Sequence, residues 1–185
     1  LKTSQKNINE INVGVYIFTG KDLKESIRKI DTNNDQNELY LTDCIEILSQ
    51  NGKKVEAFIN NDYEQFYGIN NKYELHQASK ILQKRINKFH MINGVIIESP
   101  DTTFIEEGVK IGRDTTISGQ VKIYGNSVIG EDCYIEGSSR IINSTLEDGV
   151  SVDNAVIEDS YMEKDSDIGP FARLRPNCHI GEEVH

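Results

Sequence analysis

Only three of the 185 residues are cysteine, and so small an odd number argues against a disulfide framework. Cys133 and Cys178 fall where small inward side chains recur, and Cys44 lies in the apolar stretch Cys44-Ile45-Glu46-Ile47-Leu48, so all three read as packing residues. The chain also lacks a signal-peptide pattern and any apolar run long enough to span a membrane, which points to a cytoplasmic protein. A basic stripe is missing too. Residues 1–92 carry 13 basic and 12 acidic side chains, whereas residues 93–185 carry 7 and 18, so the net charge of −10 arises in the second half and nucleic acid is not an expected partner. The four histidines, His76, His90, His179 and His185, have no second histidine or acid at metal-ligand spacing and read as structural or surface residues. Finally, the chain opens on Leu1 and stops at Val184-His185 with no capping sequence, which suggests an internal piece of a longer protein.

What the second half does have is a period. Ile105, Ile111, Ile117, Ile123, Ile129, Ile135 and Ile141 recur every sixth position, a spacing that fits neither a helix nor a half-buried strand. Four residues after each of the first six stands a small or β-branched side chain: Val109, Thr115, Val121, Ser127, Cys133 and Ser139. This is the signature of a left-handed parallel β-helix of hexapeptide repeats. The phase slips at Leu146 and shortens to five at Ile157 and Met162, then recovers at Ile168, Leu174 and Ile180. Roughly fourteen repeats at three to a coil predict between four and five coils, with Ile111, Ile117, Ile123, Ile129, Ile135, Cys133 and Cys178 inside.

Residues 1–71 read as α/β. Alternation over Ile11–Phe18 predicts a strand, Leu23, Ile27 and Ile30 mark a short helix, a second helix is expected from about Thr42-Asp43 to Gln50, and Val55, Ala57 and Ile59 predict another strand. With about 70 residues and two clear strands, this piece is too small to be a complete domain. Over residues 72–92 a stripe of Leu75, Ala78, Leu82, Ile86 and Phe89 predicts a long linker helix, and residues 93–185 form the β-helix.

Five ordered motifs carry a family resemblance: Glu10-Ile11-Asn12-Val13-Gly14, Asn33 to Asp43, Gly68-Ile69-Asn70-Asn71, His90 to Val95, and Ile168 to Pro176. In this order they resemble the bacterial bifunctional N-acetylglucosamine-1-phosphate uridyltransferase / glucosamine-1-phosphate N-acetyltransferase family. The resemblance implies the C-terminal part of a Rossmann-like nucleotidyltransferase domain, then the helical arm, then the first part of an acetyltransferase β-helix. It also implies acetyl-CoA and glucosamine 1-phosphate as substrates of one step, UTP giving UDP-N-acetylglucosamine in the other, Mg²⁺, a homotrimer, and a role in cell-wall synthesis.

By the same resemblance, Asn12 corresponds to a sugar-nucleotide contact, Asn70 to a metal-and-nucleotide asparagine, and Arg175 to an arginine aimed at the sugar phosphate, which a guanidinium can grip through two bonds. Glu38 and Tyr40 stand where the family has residues near the sugar. Each also has a plain structural reading: a strand end or turn for Asn12, turn chemistry for Asn70, a surface charge for Arg175. Asp35, Asn37 and Leu39 depart from the family's Asn-Asn-Ala-Gln-Gly-Glu-Tyr-Tyr, which puts that loop's contacts in question. The family's phosphate loop and catalytic histidine match no residue here, so the 185-residue chain alone is expected to catalyse neither step. Two alternatives stand beside this: a sugar-1-phosphate nucleotidyltransferase whose β-helix only assembles subunits, and, against the lack of a ligand set, a zinc hydratase.

Overall fold

The computed structural model describes residues 10–32 and 37–185 and divides the chain into two units, residues 1–67 and 68–185. In the first, α1 (Gly20–Ile27) packs on α2 (Asp43–Gln50), and a 3-10 turn spans Tyr63–Phe66. Cys44, Leu48 and Ser26 are buried between them, as the amphipathic pattern of the helices requires. Lys53 Nζ lies 3.0 Å from Asp22 Oδ1, and the Thr19 hydroxyl, first, and then Lys53 hold the Asp22 carboxyl below its ordinary pKa.

Neither expected strand forms among the described residues of this unit. Residues 11–18 and 55–59 carry the right alternation, yet Ile17 is 99% and Phe58 92% exposed and no strand lies alongside either segment. Alternation supplies a face to bury, but a strand also needs a neighbour for its backbone groups, and none of the described residues provides one.

The second unit is a three-faced parallel β-helix of fifteen short strands, five to a face. The first face stacks β1 (Ile96–Ile97), β4 (Thr116–Ile117), β7 (Tyr134–Glu136), β10 (Ser151–Asp153) and β13 (Asp167–Ile168). On the second, β2 (Phe104–Ile105), β5 (Lys122–Tyr124), β8 (Arg140–Ile142), β11 (Val156–Glu158) and β14 (Arg173–Leu174) lie in order. The third holds β3 (Lys110–Ile111), β6 (Val128–Ile129), β9 (Thr145–Leu146), β12 (Tyr161–Met162) and β15 (His179–Ile180).

The periodic aliphatic residues stack in register up each face, as in Ile117 on Ile135 on Val152. Ile105, Ile117, Ile123, Ile129, Ile135, Ile141 and Cys133 are buried as the period requires. Ile111 and Cys178 are only half-buried. Cys178 lies in the fifth coil, which packs on a coil from one side only.

The small inward slot has a second duty. Thr115 Oγ1 donates to the Gly130 carbonyl at 2.8 Å and accepts the Cys133 N–H at 3.1 Å. Ser139 does the same between the Glu136 carbonyl and the Ala155 N–H, at 2.6 and 3.2 Å. A hydroxyl at the corner thus satisfies backbone groups that the turn removes from the ladder.

The helix expected over 72–92 is present as α3 (Lys72–Ile92). Its C-terminal half is not a free arm. It lies against β1 and β2, where Ile86 packs on the core and Asn87 and His90 are buried.

Candidate functional site

Arg175 follows β14 directly. Leu174 turns inward and is half-buried, so the alternation sends Arg175 outward, where it is exposed. Its backbone is held: the Arg175 carbonyl accepts the Ser160 hydroxyl at 3.0 Å and the Cys178 N–H at 3.1 Å. The guanidinium has no partner among the described residues, unlike that of Arg173, which donates to Glu158 at 2.6 Å. An anchored backbone carrying an unpaired planar fork is suited to gripping a phosphate or carboxylate.

Asn70 precedes the N-cap of α3. The Asn71 side chain accepts the Glu74 N–H at 2.9 Å, while the Glu74 carboxylate reaches back to the Asn70 N–H at 2.6 Å. This reciprocal cap fixes the Asn70 backbone and explains why Asn-Asn-x-x-Glu starts a helix here. The Asn70 side-chain amide stays exposed. It can offer one oxygen to Mg²⁺, but the described residues gather no group of three His, Cys, Asp or Glu that could complete a metal site.

In the first unit, Asn12 closes a local turn: its Oδ1 accepts the Gly14 N–H at 3.1 Å and its Nδ2 donates to the Tyr16 hydroxyl at 2.7 Å. Glu38 is exposed and Tyr40 half-buried, just after Asn37 at φ 55°, a left-handed conformation asparagine tolerates. The departing Asp35 lies outside the described residues. Asn70 and Arg175 are not brought together: the helix that begins after Asn70 meets the first coil with its far half, and Arg175 belongs to the fifth.

Among the other titratable groups, burial raises the Cys44 and Cys133 thiols and lowers His90. Hydrogen bonds to Glu136 and Glu147 raise the Tyr134 and Tyr161 phenols. His179 pairs with Glu163 at 2.7 Å and His185 with Asp167 at 3.1 Å. These contacts keep the last two histidines on the surface, in the role expected of them.

Charge counted by halves of the chain conceals one feature. Of the seven cationic residues after residue 92, four stand on the second face: Lys122, Arg140, Arg173 and Arg175. The only sequence signal was the 18-residue step from Lys122 to Arg140, visible once the coils are aligned.

Residues 101–185 match the family described as the GMPPB C-terminal domain. The chain is 45% identical to the bifunctional protein GlmU of Enterococcus faecalis over 181 residues, 98% of this chain and 40% of that protein. To the GlmU of Latilactobacillus sakei it is 44% identical over 178 residues, 96% of this chain and 38% of the relative. Among solved structures, serine acetyltransferase isoform 3 of Entamoeba histolytica in complex with cysteine is similar at 15% identity and a TM-score of 0.38, covering 89% of this chain and 56% of that one. The chain spans about 40% of the length of the curated relatives it matches. Along essentially its whole length the chain is thus similar to the bifunctional GlmU proteins.

Proposed function

We propose that the full-length protein is a cytoplasmic, bifunctional transferase of UDP-N-acetylglucosamine synthesis, supplying cell-wall construction. It acetylates glucosamine 1-phosphate with acetyl-CoA and then joins N-acetylglucosamine 1-phosphate to UMP from UTP, releasing pyrophosphate. One observation carries this reading: identity of 42–45% to GlmU proteins over nearly all of the chain. The unpaired Arg175 guanidinium adds support, since it can hold the phosphate of glucosamine 1-phosphate while the amine reacts. Mg²⁺, when bound, would spread the charge of the transferring phosphate. Asn70 would give it one oxygen; Asn12, Glu38 and Tyr40 would face the sugar nucleotide, for which Asn12 must exchange its present Tyr16 and Gly14 partners.

The decisive experiment assays both half-reactions in the full-length protein. Arg175→Ala should cost about 2–4 kcal/mol in acetyl transfer, a loss of roughly thirtyfold or more in kcat/KM, and spare uridyl transfer. Asn70→Ala should do the reverse, lowering uridyl transfer on the order of a hundredfold. Equal damage to both activities, or to neither, would refute the residue assignments. A wild type with uridyl transfer and no acetyl transfer would show instead a β-helix that serves assembly alone.

We propose further that the full-length protein is a homotrimer, its β-helices side by side, as the family resemblance implies. Sedimentation equilibrium at micromolar concentration should give three times the chain mass, and a monomer would contradict it.

A further inference from the structure

The β-helix is acidic overall, with 7 bases against 18 acids after residue 92, yet its second face gathers cations. Lys122 and Arg140 are register partners on β5 and β8, so their side chains leave the same column one coil apart, about 4.8 Å. Val156 continues that column on β11, and its small side chain leaves a recess beside the two cations. The recess, about 330 Å³, is lined by Gln120, Lys122, Ser138, Arg140 and Val156. Four of the five can donate hydrogen bonds: an amide, an ammonium, a hydroxyl and a guanidinium.

The neighbouring charges leave a surplus. Glu158 is the acid that faces Arg140, at 3.5 Å, but it is held more closely by Arg173, at 2.6 Å. Lys122 has no ionic or hydrogen-bonding partner among the described residues. Two arginines therefore share one carboxylate while Lys122 is left without one, and the uncompensated charge sits where the donors converge.

We propose that this recess is an anion site that takes the phosphate group of a small molecule, held by Lys122 and Arg140 and oriented by Ser138 and Gln120. Chemistry selects the ligand class. A tetrahedral oxyanion offers several acceptor oxygens to a fork and a point charge one coil apart, whereas an apolar ligand would leave four donors unpaired. The recess is shallow and open to solvent, as suits a charged group that keeps part of its hydration, and its volume is at the small end of ligand pockets. The site does not depend on Arg175 or on either transferase reaction.

Inorganic phosphate titrated into the protein at constant ionic strength, followed by amide chemical shifts, should move residues 120–122 and 138–140 along one saturable curve. Lys122→Gln should weaken that curve at least threefold, and the double variant Lys122→Gln, Arg140→Gln at least tenfold. Lys110→Gln, on the third face, should leave it unchanged. Both test residues are exposed, so circular dichroism of the variants should match the parent. Absence of saturation, an equal response to chloride, or undiminished affinity in the double variant would overturn the proposal. So would a double variant that loses self-association while binding phosphate as before, because the strip would then serve a second copy of the chain.

Discussion

Gly130 shows how little room the stacking leaves at the scale of a single residue. A Cβ built there would lie 2.5 Å from the Asp148 backbone nitrogen and 2.6 Å from the Glu147 carbonyl carbon. Real side chains do not approach backbone so closely, so Gly130→Ala must push two coils apart or bend the corner. We expect a cost of about 1–3 kcal/mol, the usual range for overpacking. In urea this should appear as a lower midpoint with an unchanged slope; an unchanged midpoint would show that the corner can yield. The sequence revealed Ser139 and Thr115 as small side chains of the repeat. It could not reveal that their hydroxyls bridge successive coils, because the partners, Ala155 and Cys133, lie 16 and 18 residues away.

Among the elements, α3 shows why a correct boundary can come with a misjudged face. Its length follows from the apolar stripe and the Asn71–Glu74 cap. Yet Leu82 is 51% and Phe89 63% exposed, while Asn87 is buried. Backbone chemistry explains the choice. The first coil has no strand before it, so its outward carbonyls lack ladder donors, and side-chain amides supply them. Asn87 Nδ2 donates to the carbonyls of Pro100 and Thr103 at 2.8 and 3.1 Å, and Gln83 Nε2 to that of Ile105 at 3.2 Å. A helix that closes a β-helix needs donors as much as apolar area, and a stripe of hydrophobicity does not register them.

The same burial makes α3 sensitive to acid. Desolvation lowers the pKa of His90 below its ordinary value of about 6.5, so the folded protein holds this proton less tightly than the unfolded chain. Stability from this source is intact above pH 6.5 or so and is lost as pH falls below it, because the unfolded chain then takes up the proton first. Acidification from about pH 7.5 to 5.5 should therefore destabilise the wild type more than His90→Gln. Equal losses in denaturant midpoint would dismiss His90 as the cause.

At the scale of the whole molecule, the two units differed in how much of them could be read. The β-helix repeats one local rule fifteen times, so strand positions and the core were legible from Ile105 onward. Among the described residues of the first unit the same kind of alternation yields no strand, because pairing there depends on groups that a local pattern does not contain. Of the site, the outward position of Arg175 followed from the repeat; the capped backbone at Asn70 and the cation column at Lys122 and Arg140 required the assembled coil.

The phase slips in the repeat have a further consequence. Ile123 and Ile141 are partners 18 residues apart, yet Ile141 pairs with Ile157 after 16 and Ile157 with Leu174 after 17. The missing residues come from corners, where Asn143, Asn154 and Asp159 adopt φ of 47°, 45° and 43° and turn the chain more tightly. Deletion of a codon at such a corner thus leaves the reading of the core intact, because each strand finds its place from the one beneath it and not by counting along the chain. A gene built this way can lose or gain a codon at its bends while the column of isoleucines it encodes stays aligned.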